Sequence, residues 1–313
     1  MLASIAMRRT VPAAALLALA FAVAPSAAQP AQPSLGDLAA RRSATPARHL
    51  VWRVAKDGRT VAYLVGSIHL LTQYAYPLPP LFDRIWAETK VLVEEVDFGE
   101  AADPAQAAGA AAGAVLPDGE SLRNLLDTAT YARVTDKAMA AGMPMMLVDR
   151  MKPWLVAMTL MVPELQHAGF DPARGLDRHF YDRAVADRRP VRGLETAAYQ
   201  LDRMNGLPLP VQVDMLRTYL DDVEQQVRSL EALVRAWRAG DVAALESLLL
   251  KEFRDAPGVY QRLLVERNRN WVPRIAQCAA SEPCMVVVGG AHLLGPDSIV
   301  AMLATAGFTV EQQ

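Results

Sequence analysis

The sequence predicts an α/β domain with an α+β tendency. A mixed, mainly parallel central sheet is opened by a β-hairpin, and a large helical insertion covers the strand ends. Three observations predict it. Two β-rich runs, "LVWRVA" and "TVAYLVGS", flank Asp57-Gly58, a pair suited to the positive-φ positions of a tight hairpin turn. Two strand–helix–strand patterns frame the domain, one from "AYLVGSI" to "VLVEEVDF" and one from "CMVVVGG" to "FTVEQQ". Between them, residues 207–270 read as helical throughout.

The elements follow in order. Residues 1–28 have the form of a signal peptide: Arg8 and Arg9, an apolar core, and Ser26-Ala27-Ala28 as a cleavage site. The core is short for a membrane span, and no later stretch is long and apolar enough to supply one. Residues 29–48 are rich in Pro, Ala and Ser and read as a flexible leader. A single domain is expected over 49–313. After the hairpin, "YPLPPLFDRIWAETK" supplies a proline and a helix. "VLVEEVDF" is a continuous apolar strand ending in acids, expected to lie beside the second hairpin strand. Residues 99–119 are low-complexity and read as a mobile insertion. "SLRNLLDTATYARVTDKAMAAG" is helical, "MMLVDR" reads as a short strand, and "PWLVAMTLMVPELQHAG" as a proline-started helix. "GLDRHFYDRAVADRRP" is a helix with Asp177 in its first turn, and "VRGLET" a strand ending at Glu195.

Composition narrows the function. Of 313 residues, 52% are apolar and 21% charged, enough for a sizeable core, and the net charge of −2 argues against a nucleic-acid partner. Export, to the periplasm or outside the cell, makes a disulfide between Cys278 and Cys284, the only two cysteines, the expected state.

The chemistry-bearing pattern is a pair. "GSIHLL" and "GGAHLL" both place Gly-x-x-His-Leu-Leu after an apolar strand, at Gly66–His69 and Gly289–His292. "VLVEEVDF" brings Glu94, Glu95 and Asp97 to a third strand end. Functional groups collect beyond the carboxyl ends of strands in such sheets. Two imidazoles and a carboxylate there can bind a divalent metal that acidifies water. They can also work without metal, one His acting as general base. Two unrelated structural histidines are the alternative to both. Side chains alternate along a strand, so Glu95 and Asp97 are expected on one face and Glu94 on the other. Ser67 lacks the Gly-x-Ser-x-Gly context of a nucleophile elbow. His179 sits inside an amphipathic helix and His167 before a helix-stopping Gly, so neither reads as a ligand.

Taken together, "WRVAKDGRTVAYLVGSIHLLTQYAYPLP", "VLVEEVDF", "GLDRHF", "VRGLET", "LLVERNRNW" and "MVVVGGAHLLGPDSIVAMLATAGFTV", in this order from about residue 50 onward, resemble the TraB/PrgY/GumN family. Tiki-type metalloproteases belong to the same wider group. The resemblance implies an active centre at His69, Glu95 and His292, holding manganese, cobalt or zinc and hydrolysing a peptide or protein substrate. Arg267 and Asn268 lie in a motif segment; they could clamp a substrate carboxylate or carbonyl, or form an ion pair and a cap. Glu195 and Asp177 could fix an imidazole tautomer, or serve as a strand-end salt bridge and a helix-start acid. Two other functions remain open: a metal-independent esterase-like hydrolase, and a non-catalytic exported binding protein for haem, metal or peptide. A haem site would need an axial ligand and a wide apolar cleft.

Overall fold

The computed structural model describes residues 48–104, 108–109 and 112–313. The expected signal peptide and nearly all of the expected leader lie outside the described residues. Strands β1 (Val51–Lys56), β2 (Arg59–Ser67), β3 (Val91–Glu94), β4 (Val191–Gly193), β5 (Cys284–Gly289) and β6 (Thr309–Gln312) form one sheet in the order β4-β3-β5-β2-β1-β6. β1 runs antiparallel to β2 and β6, while β2, β5, β3 and β4 are mutually parallel. The opening hairpin turns on Asp57 and Gly58, both at positive φ as a two-residue loop requires.

β5, from the far end of the chain, lies between β2 and β3. This corrects the expectation that β2 and β3 are neighbours. All six residues of β5 are buried, and the centre of a sheet covered on both faces is where such a strand loses most apolar surface. Each large aliphatic side chain hidden there stabilises by about 1.5–3 kcal/mol. The first crossover therefore skips one strand position, which is filled by the next-to-last strand of the chain.

Among the described residues ten helices have seven residues or more. They are α1 (Pro80–Glu88), α2 (Thr128–Ala140), α3 (Pro153–His167), α4 (Leu176–Ala186), α5 (Ala197–Asn205), α6 (Leu209–Asp221), α7 (Val223–Ala239), α8 (Val242–Arg254), α9 (Glu266–Ser281) and α10 (Ile299–Thr305). α4 packs on β3 and β5, and α9 lies along β2 and β5. The α7–α8 pair closes over the end of β2 and the segment that follows β5: Trp237 Nε1 of α7 donates to Gly66 O at 2.8 Å, and α8 contacts Gly290–Leu293. α6 instead packs against α3, so the helical cover over the strand ends is narrower than residues 207–270.

Three local expectations change. "MMLVDR" is a helical turn, Met145–Val148, not a strand. It has Pro144 at its start and exposes Met146 and Leu147, which a strand in this sheet would have buried. A run of four apolar residues carries too little periodicity to choose. The low-complexity 99–119 segment is held at its far end: Ala114 and Leu116 are buried, and Leu116 N donates to Arg150 O at 2.7 Å. β3 stops at Glu94, where the chain bends, so Asp97 does not share a face with Glu95. It caps the turn Phe98–Ala101, accepting from Gly99 N at 2.8 Å.

Candidate active site

β2 and β5 run side by side with Ser67 opposite Gly289. Both chains leave the sheet at that level, which delivers His69 and His292 to one place. β3 adds Glu95 one residue past its end. The three side chains are buried, and Glu95 Oε1 lies 4.0 Å from His69 Nε2 and 3.9 Å from His292 Nε2.

Gly289 makes this approach possible. A Cβ there would stand 3.1 Å from Glu95 Oε1 and 3.2 Å from His69 Nε2. Its N–H donates to Glu95 Oε1 at 2.7 Å. Glu95 Oε2 accepts from Gln200 at 3.0 Å and from Arg267 at 2.6 Å. A carboxylate offers about four acceptor positions; three are taken and one on Oε1 remains, the oxygen 4.0 Å from His69 Nε2. Burial by itself raises the Glu95 carboxyl, but Arg267 beside it and the Gly289 N–H hold it at about 2. It is ionised at neutral pH.

His69 is held from behind. Its Nδ1 lies 2.6 Å from Asp177 Oδ2, and Ser67 Oγ donates to Asp177 Oδ1 at 3.2 Å. Gly175, two residues earlier, lets this loop touch the His69 backbone, since a Cβ would meet His69 O at 2.4 Å. Burial pushes His69 down, but the charge and hydrogen bond of Asp177 together with the charge of Glu95 outweigh it and lift the imidazole to about 9. Nε2 has no hydrogen-bond partner although it is buried.

His292 is held differently. Asn268 Nδ2 donates to Asp297 O at 2.8 Å, which turns its Oδ1 toward His292 Nδ1 at 2.6 Å. Nδ1 therefore carries the hydrogen, and Nε2 accepts from Arg267 at 3.2 Å. Burial, then the Arg267 charge, drives the ring down to about 3, so it is neutral at any physiological pH.

Arg267 joins the parts. Nε donates to both Glu195 oxygens at 3.0 and 3.1 Å, one terminal nitrogen to Leu263 O and His292, and the other to Glu95 and Glu195. All five N–H groups are used, so Arg267 has none left to clamp a substrate. Asn268 is also engaged, its amide bonded to His292 and Asp297. The carbonyl of Leu263 comes from a wide turn, Gln261–Val265, where Glu266 N reaches back five residues to Gln261 O. Trp271, one turn beyond Arg267, donates to Glu195 Oε2 at 2.9 Å and lies with its ring 4.4 Å from that of His292.

The remaining candidates fall outside the centre. His179 packs against Tyr76 and Phe180, and His167 bonds its own helix at Pro163 O. Glu94 is buried with neither carboxylate oxygen partnered, and burial first, then the charges of Asp177, Asp97 and Glu95, raise it well above the usual range. All of these favour its neutral form. Gln200 and Trp271 went unread in the sequence. A lone glutamine carries no signal there, whereas Trp271 could have been found from its four-residue helical spacing to Arg267.

This constellation sits within a wider match. The sequence model described as the TraB/PrgY/gumN family matches residues 50–312. The chain belongs to the TraB/PrgY/gumN family. Two relatives, both described as uncharacterized protein YbaP, from Shigella flexneri and Escherichia coli strain K12, are each 23% identical over 262 residues, covering 82% of this chain and 93% of their own. No solved structure matches it.

The metal that membership of the TraB/PrgY/gumN family suggests can be tested against these donors. His69 Nε2 is open. His292 Nε2 already accepts from Arg267, and Glu95 Oε2 accepts twice. A permanently charged guanidinium lies 2.6 Å from one donor and 3.2 Å from another, where it opposes a cation by charge. Among the described residues no three His, Cys, Asp or Glu side chains are grouped so that they could hold a metal ion. The donor set as arranged does not fit a metal, and Arg267 supplies the positive charge beside Glu95.

Proposed function

We propose that this chain is an exported hydrolase that cleaves an amide bond of a peptide substrate by general acid–base catalysis. His69 is the base. The observation that carries this reading is His69 Nε2, a buried imidazole nitrogen without a partner, braced through Nδ1 by Asp177 and 4.0 Å from the Glu95 oxygen that keeps an acceptor position. Two hydrogen bonds of about 2.8 Å from one water span the 4.0 Å between His69 Nε2 and Glu95 Oε1. That water has both hydrogens engaged and a lone pair to offer a carbonyl carbon.

In the reaction His69 Nε2 takes one proton from the water, and the hydroxide adds to the carbonyl. The tetrahedral adduct collapses as the same proton passes from His69 to the departing nitrogen. Glu95 stays ionised, orients the water and stabilises the imidazolium. His292, Asn268, Glu195, Gln200 and Trp271 keep Arg267 and Glu95 in place; they are positioning residues. A positioned base of this kind contributes on the order of 10²–10⁴ in rate. Export is supported by the arginine-led apolar N-terminus and by the Cys278–Cys284 disulfide.

The test is hydrolysis of a peptide library by the purified chain, with and without a chelator. Cleavage that survives the chelator and disappears in His69→Ala is the expected result. Chelator-sensitive cleavage restored by manganese, cobalt or zinc would overturn the metal-free mechanism. Wild-type-like cleavage by His69→Ala would overturn the centre itself.

A further inference from the structure

Resting on that reading, we infer that the cavity beside His69 is the subsite for a small, uncharged aliphatic group on the acyl side of the scissile bond. The cavity is bounded by His69 and Gly289 on one side and by Leu50, Ile68, Leu230, Leu233, Leu245 and Leu249 on the others. Its near wall is the catalytic centre, and its far walls are α7 and α8. Its side-chain lining carries no charge other than that of His69, and Ser67 is already bound to Asp177. A charged or strongly polar group would enter without a partner and lose its hydration uncompensated. An aliphatic group enters with a gain proportional to the surface it hides.

Size limits the group. The free space is about 30 Å³, more than the ~10–15 Å³ that one water needs and of the order of a methyl or a little more. Gly290 sets the floor. A Cβ there would lie 3.8 Å from Leu249 Cδ1 and 2.9 Å from Leu50 Cδ2, both ends of movable side chains. An alanine at 290 is therefore tolerated by the fold and takes up a methyl's worth of the cavity. The group that fits is an alanine side chain or one of similar bulk. An acyl group seated there has its carbonyl carbon next to His69, where the water is activated.

The experiment compares N-acetyl-alanine, N-acetyl-leucine and N-acetyl-phenylalanine 4-nitroanilides on wild type, Gly290→Ala, Leu249→Ala and Leu233→Ala. Wild type should favour alanine over phenylalanine by tenfold or more in kcat/KM. Leu249→Ala or Leu233→Ala should reverse part of that preference toward leucine by about tenfold. Gly290→Ala should depress alanine turnover while its melting curve stays cooperative. Two leucine variants guard against one failing to fold. Unchanged ratios in folded, active variants would overturn the subsite and leave the hydrolase reading standing. If wild type cleaves none of the three, binding of the intact anilides by calorimetry decides. Alanine-anilide binding lost in Gly290→Ala keeps the subsite while hydrolysis falls, and no binding in wild type overturns the subsite as well.

Discussion

Arg267 and Glu95 meet at 2.6 Å with the guanidinium wholly shielded from solvent, and the same guanidinium holds Glu195 at 2.7 Å. Removing it leaves two buried carboxylates uncompensated. Breaking a buried pair this way costs about 3–5 kcal/mol, far more than the pair contributes against a hydrophobic replacement of both partners. Arg267→Met should lower the urea midpoint accordingly. Arg267→Lys should recover only part, since an ammonium cannot serve Glu95, Glu195, His292 and Leu263 O in one plane. An unfolding free energy within about 1 kcal/mol of wild type for the methionine variant would show that Arg267 is not the centre's counter-charge.

Activity should rise with pH. Asp177 and Glu95 lift His69 to about 9, so at neutral pH the base carries a proton, and kcat/KM should climb through neutrality and level off only above pH 9. Asp177→Asn removes its share of that lift, so the limb should move toward the ordinary imidazole range near 6.5. The plateau should also fall by on the order of 10² or more, because the ring loses the partner that fixes its tautomer. An unchanged limb position in Asp177→Asn would separate the pH dependence from His69.

Stability should carry the opposite sign for the same group. The folded-state value of His69 lies above the unfolded one, so its contribution is fully present below about 6.5 and is lost as pH rises through about 9. Glu94 acts in the same direction from a lower starting point. Its carboxyl is raised well above 4.5 by burial, so the unfolded chain ionises it first, and stability drains as pH climbs from about 4.5. Glu94→Gln removes that term without changing shape. It should leave stability near pH 4 almost unchanged and raise it at pH 8, read from urea unfolding at the two values. Equal effects at both values would mean that Glu94 is ionised in the folded state.

The Cys278–Cys284 bridge, with its Cα atoms 6.4 Å apart, closes a short loop between α9 and β5. A loop of this length contributes about 2 kcal/mol through the unfolded chain. The double serine variant should lose roughly that amount and keep its kcat, because Arg267 and Gly289 are placed by the helix and the sheet, not by the bridge. A collapse of kcat at full stability would instead tie the bridge to site geometry.

Much of the centre was legible because apolar strands betray their ends. His69, Glu95 and His292 each follow a run that loses its apolar character where it leaves the core. What joins them is harder to read. Asp177 stands 108 residues from His69 in sequence, and nothing local distinguishes a helix-start acid that reaches an imidazole from one that serves only its helix. Arg267 and Asn268 were recognisable as a pair, but a guanidinium aimed at substrate and one saturated by its neighbours have the same spelling. The alternation rule placed Glu95 correctly opposite Glu94 yet failed for Asp97, because it holds only while the strand stays straight, and this one bends after Glu94. The position of β5 could not be read at all: parallel order in a sheet depends on which strand has two faces to hide, a property of the finished core.

That strand order governs when the protein can exist. β2 and β3 are made early, but each lacks its inner neighbour until Cys284–Gly289 has been synthesised. A chain cut short before residue 284 has an open gap through the middle of its sheet and no second histidine. Such long-range pairing makes folding slow, and it leaves the growing polypeptide unable to settle while its last thirty residues are still to come. Under the export proposed above, translocation machinery that threads extended chains would meet this protein in the state it can handle, and assembly of the sheet and convergence of His69, Glu95 and His292 would become a single event on the far side.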